Sequence, residues 1–203
     1  MKTNKLLAAA ALAVAASGVQ AQNLVNNGSF EADSQTNWTI YSNLTGWTGG
    51  TNGIELRNNV AGAAQDGANF VELDTTKNSS MTQSVTIAND GLYELSFYYS
   101  ARPNTLAGTN GLDFSFGTLS GSVLNGVGNS GSGNTWQHYT GQVFLTAGTK
   151  ILTFGASETS DSYGGSLDNI SVTAVPEPEA YAMLLAGLGM MGFIANRRRQ
   201  RQS

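Results

Sequence analysis

The sequence predicts an all-β fold, a jelly-roll β-sandwich, flanked by an N-terminal signal peptide helix and a C-terminal transmembrane helix. Three observations predict it. Glycine, asparagine, serine and threonine punctuate the chain roughly every ten residues, and no stretch of the middle sustains a helical period. The longest patterned run, Leu92 to Ser100, alternates: Tyr93, Leu95, Phe97 and Tyr99 share one face, and Glu94, Ser96, Tyr98 and Ser100 share the other. Apolar runs that read as helices occur only near the two ends. The chain of 203 residues holds no cysteine, so disulfides and thiolate zinc sites are excluded and stability must come from a packed core.

Met1 to Ala21 opens with Lys2 and Lys5, continues through an apolar run from Leu6 to Ala16, and closes on Ser17-Gly18-Val19-Gln20-Ala21. A charged start, a short apolar middle and small residues before the break predict a secretory signal peptide over residues 1–21, exported by the Sec machinery and cut by signal peptidase after Ala21. The run is too short for a permanent anchor, and the mature chain should begin at Gln22.

Residues 22–174 have the length of one domain. They hold twelve acids and four bases, a formal charge of −8 in a chain of net −4. Such a domain repels nucleic acid. In chain order the candidate strands are Ile54 to Arg57, Asn69 to Leu73, Met81 to Ile87, Leu92 to Ser100, Leu112 to Phe116, Trp136 to Leu145, Ile151 to Gly155 and Leu167 to Thr173. Asn89-Asp90-Gly91 has turn chemistry and predicts a hairpin between the third and fourth of these. Gly117 to Gly133 reads as a long surface loop. Short strands at this spacing argue for a sandwich.

Several segments resemble galactose-binding-like β-sandwiches, with DUF642-type domains and related carbohydrate-binding modules the nearest in appearance. They are Asn26-Asn27-Gly28-Ser29-Phe30-Glu31, Phe70-Val71-Glu72-Leu73-Asp74, Ser96 to Pro103, and Gly164 to Val172. The resemblance implies a jelly roll whose first and last strands lie side by side, and a structural calcium joining those ends through Glu31 and Asp168. Two carboxylates supplemented by carbonyl oxygens suit calcium; the same residues also suit turn capping by accepting backbone N–H bonds.

Binding a sugar requires exposed aromatics and polar groups that read hydroxyls. Trp38, Trp47, Tyr98, Trp136 and Tyr163 are available. Tyr98 lies opposite the apolar face of its strand, and Trp47 sits in the glycine-rich Gly46-Trp47-Thr48-Gly49-Gly50, which makes these two the leading ligand contacts. Enzymatic readings are weaker. Glu72 and Asp74 share a strand face, where two solvent-side acids are ordinary, and the lone histidine, His138, has no G-x-S-x-G elbow with it.

The tail from Val175 carries Pro176-Glu177-Pro178, an apolar run from Ala180 to Ala195, and the cluster Arg197, Arg198, Arg199 and Arg201. The run offers ~24 Å of helix against a hydrocarbon core of ~30 Å, so a transmembrane span needs flanking groups or a thinned bilayer to complete it. The arginines should stay cytoplasmic, with everything before Val175 on the far side of the inner membrane. Triplet, helix and basic end resemble the PEP-CTERM sorting signal, whose tail is also called the ice-binding protein C-terminal domain. That resemblance implies cleavage by an exosortase in Gram-negative bacteria that make exopolysaccharide. The reading is of an exported, non-enzymatic surface or matrix protein, a carbohydrate-binding or structural module associated with exopolysaccharide. The alternatives are a structural or adhesion protein with no sugar site and, less favoured, a polysaccharide hydrolase.

Overall fold

The computed structural model describes residues 22–105, 108–124, 133–176 and 178–200. The signal peptide expected over residues 1–21, together with Glu177 and Arg201, lies outside the described residues. In chain order the strands are β1 (Trp38–Tyr41), β2 (Asn43–Leu44), β3 (Trp47–Gly49), β4 (Ile54–Asn58), β5 (Asn69–Glu72) and β6 (Ser80–Ile87). Then follow β7 (Gly91–Ser100), β8 (Gly111–Phe116), β9 (Leu119–Leu124), β10 (Gln137–Leu145), β11 (Gly148–Ser157), β12 (Ser166–Ala174) and the helix α1 (Pro178–Gln200).

The strands form two six-stranded sheets. The first runs β1-β4-β5-β12-β7-β10 and the second β2-β3-β6-β11-β8-β9. Between them the alternating apolar residues of both sheets make one core, with Leu56, Val71, Leu95 and Leu167 from the first facing Met81, Val85, Leu152 and Phe154 from the second. Phe97, on the face that its alternation assigns inward, has the rings of Phe114 and Phe154 at 5.1 Å each and of Tyr139 at 5.4 Å.

Two expectations change. β6 and β7 do not form a hairpin: β6 pairs with β3 and β11, while β7 pairs with β12 and β10 in the other sheet. Asn89 to Gly91 is therefore a corner between sheets, held by the Tyr93 hydroxyl donating to the Asn89 carbonyl at 2.8 Å. Turn chemistry dictates that the chain reverses; which sheet receives the next strand depends on Met81, Val85 and Ile87 entering the core from the side opposite Tyr93 and Leu95. Likewise, the described part of the stretch expected to be a loop, Gly117 to Gly133, is not loop throughout; residues 125–132 lie outside the described residues. Leu119–Leu124 is strand β9, paired with β8 along its length, and Gly117, at φ 61°, makes the turn between them. Gly121 leaves room there for the Phe114 ring, which a β-carbon would strike at 2.8 Å.

The first strand, β1, pairs with β4 and does not lie beside the last strand as the family resemblance implies; the segment that precedes β1 runs beside β12 instead. The Leu24 N–H donates to the Val172 carbonyl at 2.8 Å, and the Ile170 N–H to the Gly28 carbonyl at 3.0 Å. Gly28 approaches β12 so closely that a β-carbon would overlap the Ile170 carbonyl oxygen. Gly28→Ala is accordingly expected to lower stability by about 1–3 kcal/mol through backbone displacement, read as a lower urea midpoint at unchanged slope.

α1 begins at Pro178, a residue suited to a first helical turn because its missing N–H needs no partner there. The expected transmembrane helix is not seen: among the described residues no helix is long and apolar enough to cross a membrane. The uninterrupted apolar stretch supplies only ~24 Å, and Gly187, Gly189 and Gly192 dilute it. Its described large side chains, including Leu185, Met190, Phe193 and Ile194, are exposed. The strand-to-tail junction is tight, with the Val175 N–H still donating to the Leu92 carbonyl at 2.9 Å.

Candidate functional site

The outer face of the first sheet carries the polar clusters. Register places Ile40, Glu55, Glu72, Ser166 and Ser100 in one row across β1, β4, β5, β12 and β7, and Trp38, Arg57 and Phe70 in the next. Alternation puts acids and an arginine here because their neighbours Leu56 and Val71 face the core. Long-range loops then cover part of the row.

Glu72 is the centre. Its carboxylate accepts from Arg57 Nη2 at 2.7 Å, from Arg102 Nη1 at 3.1 Å and from the Gly164 N–H at 2.8 Å. Arg57 Nε also reaches Glu55 at 2.6 Å. Two residues on, Asp74 Oδ2 accepts the N–H groups of Asp161 at 2.9 Å, Ser162 at 2.9 Å and Tyr163 at 3.3 Å, and Oδ1 takes the Ser160 hydroxyl at 3.2 Å. The sequence suggests that Glu72 and Asp74 face solvent; each is only 1% exposed, because the loop before β12 folds over them. Their role is to hold that loop, and with it Tyr163. Burial pushes the Glu72 carboxyl up, to about 8, against the downward pull of Arg57 and then Arg102.

Tyr163 is 52% exposed, and the Arg102 guanidinium lies over its ring at 4.7 Å. Trp38, at 50% exposure, stands across a cleft of about 400 Å³ whose walls include Ile40, Thr76 and Arg102. Arg57 lies in its floor, and its Nη1 is buried without a hydrogen-bond partner among the described residues. A second hollow of about 630 Å³ opens on the other side of Arg102 and Tyr163, against Gly62, Ala63 and Asn104. The arrangement offers two aromatic faces beside a charged, donor-rich floor.

The residues singled out in the sequence fare differently. Trp47 is not a surface platform: it is 2% exposed, its indole N–H donates to the Asn27 carbonyl at 3.1 Å, and its ring meets Phe30 at 6.0 Å and Phe154 at 6.3 Å. The glycines around it suggested a loop, but β3 points Trp47 inward and Thr48 outward. Tyr98 lies on the outer face as expected, half-buried and stacked on His138 with ring centres 4.5 Å apart. His138 Nε2 in turn meets Ser96 Oγ at 2.7 Å. Trp136 is half-buried, edge-on to Phe70 at 5.9 Å, with its N–H on the Ala63 carbonyl at 3.1 Å.

Glu31 and Asp168 act as acceptors for loop amides. Glu31 Oε1 takes the N–H groups of Ala68 at 2.9 Å and Asn69 at 2.6 Å. Asp168 Oδ2 takes Gln65 at 2.8 Å and Asp66 at 3.0 Å, and Oδ1 takes Asn169 at 2.7 Å. Hydrogens aimed at these oxygens occupy the directions that a cation needs, and among the described residues no group of three or more His, Cys, Asp or Glu could hold a metal ion. The donor set therefore does not fit the calcium that the resemblance implies. Asp168 is fully buried, which pushes its carboxyl up to about 7; the amides of Asp66, Asn169 and Gln65 oppose the shift. Sequence reading missed Arg57 and Arg102, although their scarcity was a signal: they are two of only four bases in the domain.

Fold and cleft define an antiparallel β-sandwich with a surface cleft between Trp38 of β1 and Tyr163 of the loop before β12, followed by a C-terminal tail. Residues 174–199 match the family model for the PEP-CTERM protein-sorting motif, so the tail carries the motif of exported proteins processed at the membrane. The chain is 28% identical over 174 residues to the multifunctional-autoprocessing repeats-in-toxin protein of Vibrio cholerae serotype O1, a match to 85% of this chain and 4% of that one. It thus spans a small fraction of that relative's length. Among solved structures, it is similar to a family 35 carbohydrate-binding module from Clostridium thermocellum at 16% identity and TM-score 0.46, covering 69% of this chain and all of that one. It is also similar to TmCBM61, solved with β-1,4-galactotriose, at 18% identity and TM-score 0.46, covering 76% and 99% of the two chains.

Proposed function

We propose that the protein is an exported carbohydrate-binding module, processed by an exosortase, that holds extracellular polysaccharide in the cleft between Trp38 and Tyr163. The observation that carries the reading is the pair of rings that face that cleft. Trp38 and Tyr163 are each about half exposed, and the partly exposed Arg102 guanidinium lines the cleft with them. Aromatic faces stack on sugar rings, and a guanidinium beside them donates to hydroxyls. Acids and arginines alternate around the floor, which suits a hydroxyl-rich ligand, and the domain charge of −8 disfavours polyanions such as nucleic acid. The role is binding without catalysis: Glu72 is tied to two arginines and a backbone amide, and Asp74 to the loop that carries Tyr163.

A glycan array probed with the mature protein tests this. Trp38→Ala and Tyr163→Ala are each expected to weaken the best hit about tenfold, which is about 1.4 kcal/mol. Tyr98→Ala should change it less, since His138 already covers one face of that ring. Silence of the wild-type protein across the array would overturn the reading in favour of a structural or adhesive surface protein.

A further inference from the structure

We propose that the end of the sandwich from which the tail departs, marked by Leu92 and Phe144, rests against phospholipid while the tail is uncut. The inference relies on the tail being held at the membrane before processing.

Phe144 and Leu92 are direct cross-strand partners on β10 and β7. Both point away from the core, 63% and 38% exposed, although a strand end offers ample polar alternatives for such positions. The chain leaves the domain beside them, because the Val175 N–H is bonded to the Leu92 carbonyl. From Val175 to the first residue of α1, Pro178, the chain can span at most ~10 Å. The headgroup layer on each side of a bilayer is itself ~5–7 Å deep. An apolar helix held in lipid therefore brings the Leu92–Phe144 pair to the headgroup boundary, where leucine and phenylalanine gain by burial.

The charges at this end also select the lipid. Asp90, whose Oδ1 accepts the Ala147 N–H, and Glu94 on the same outer face as Leu92 give the surroundings an acidic bias. Lys150 lies nearby, with its ammonium on the Thr146 hydroxyl at 3.0 Å. Zwitterionic headgroups fit this better than anionic ones. The cleft is at the other end: Arg102 follows the last residue of β7 and Tyr163 precedes the first of β12, whereas the tail leaves where β7 begins and β12 ends. Ten residues of β7 separate the two ends by roughly 33 Å.

The absence of cysteine makes the test clean, since single cysteines carry a fluorophore to chosen positions. Full-length protein would be reconstituted in phosphatidylcholine vesicles that contain quenchers both at headgroup level and along the acyl chains, labelled in turn at Phe144→Cys, at Leu188→Cys in α1 and at Lys77→Cys near the cleft. Expected is a loss of about half the signal at 188 and at 144, and none at 77. Quenching at 188 with position 144 as bright as 77 would overturn the proposal and leave the membrane-held tail intact. No quenching at 188 would overturn the membrane-held tail itself, and the proposal with it.

Discussion

Glu72→Ala is expected to destabilise the sandwich by about 3–5 kcal/mol. The side chain is fully buried and accepts from two guanidiniums and one backbone N–H. Alanine would leave Arg57, itself 5% exposed in its side chain, with Glu55 alone, and would free the Gly164 N–H inside the fold. Arg102 could turn to water and lose less. Because burial holds the Glu72 carboxyl up near 8, the protonated form is favoured on folding, and the cost of the substitution should shrink as pH passes that value. Urea denaturation of wild type and variant at about pH 6 and about pH 9 measures both effects. A loss below about 1 kcal/mol at both would mean that the cluster is hydrated and does not hold the loop.

The second large effect is a fall in stability as pH rises from about 4 to about 7. Asp168 ionises near 3.8 when unfolded and near 7 when folded, because no cation faces it in its buried site and only amides oppose the desolvation. Between those values the folded state binds more protons than the unfolded one, so unfolding becomes easier with each step upward in pH. The stabilisation is complete below the unfolded value and lost on passing the folded one. Glu72 shifts in the same direction and extends the decline towards pH 8. The combined effect is on the order of a few kcal/mol, visible as a melting temperature several degrees lower at about pH 8 than at about pH 5. Asp168→Asn should flatten the profile. A wild-type melting temperature that rises across this interval would contradict the assignment.

Much of the sandwich is legible in the sequence, because strands such as β7 and β10 are long enough to show a period of two. β1, β2 and β3 are two to four residues long, too short for alternation to register, and Trp38 and Trp47 lie in them. That is why the sequence pattern favours buried Trp47 as a platform over exposed Trp38. The burial of Glu72 and Asp74 could not be read locally either. It is imposed by Gly164, 92 residues further along, and by Ser162, 88 residues from Asp74. The tail was the reverse case, since its triplet, apolar run and arginines are contiguous and need no folding to be recognised.

The direct passage from β12 into the tail has a mechanical consequence. β12 is held between β5 and β7, so if the C-terminus is tethered and a polymer is bound at the far end as proposed, tension between them would pull along the strand axis. Its ladder of hydrogen bonds lies across that axis and would have to shear together instead of opening one by one like a zip. Such a module would keep its grip under drag from flowing water, yielding at the tether or at the sugar before the sheet parts.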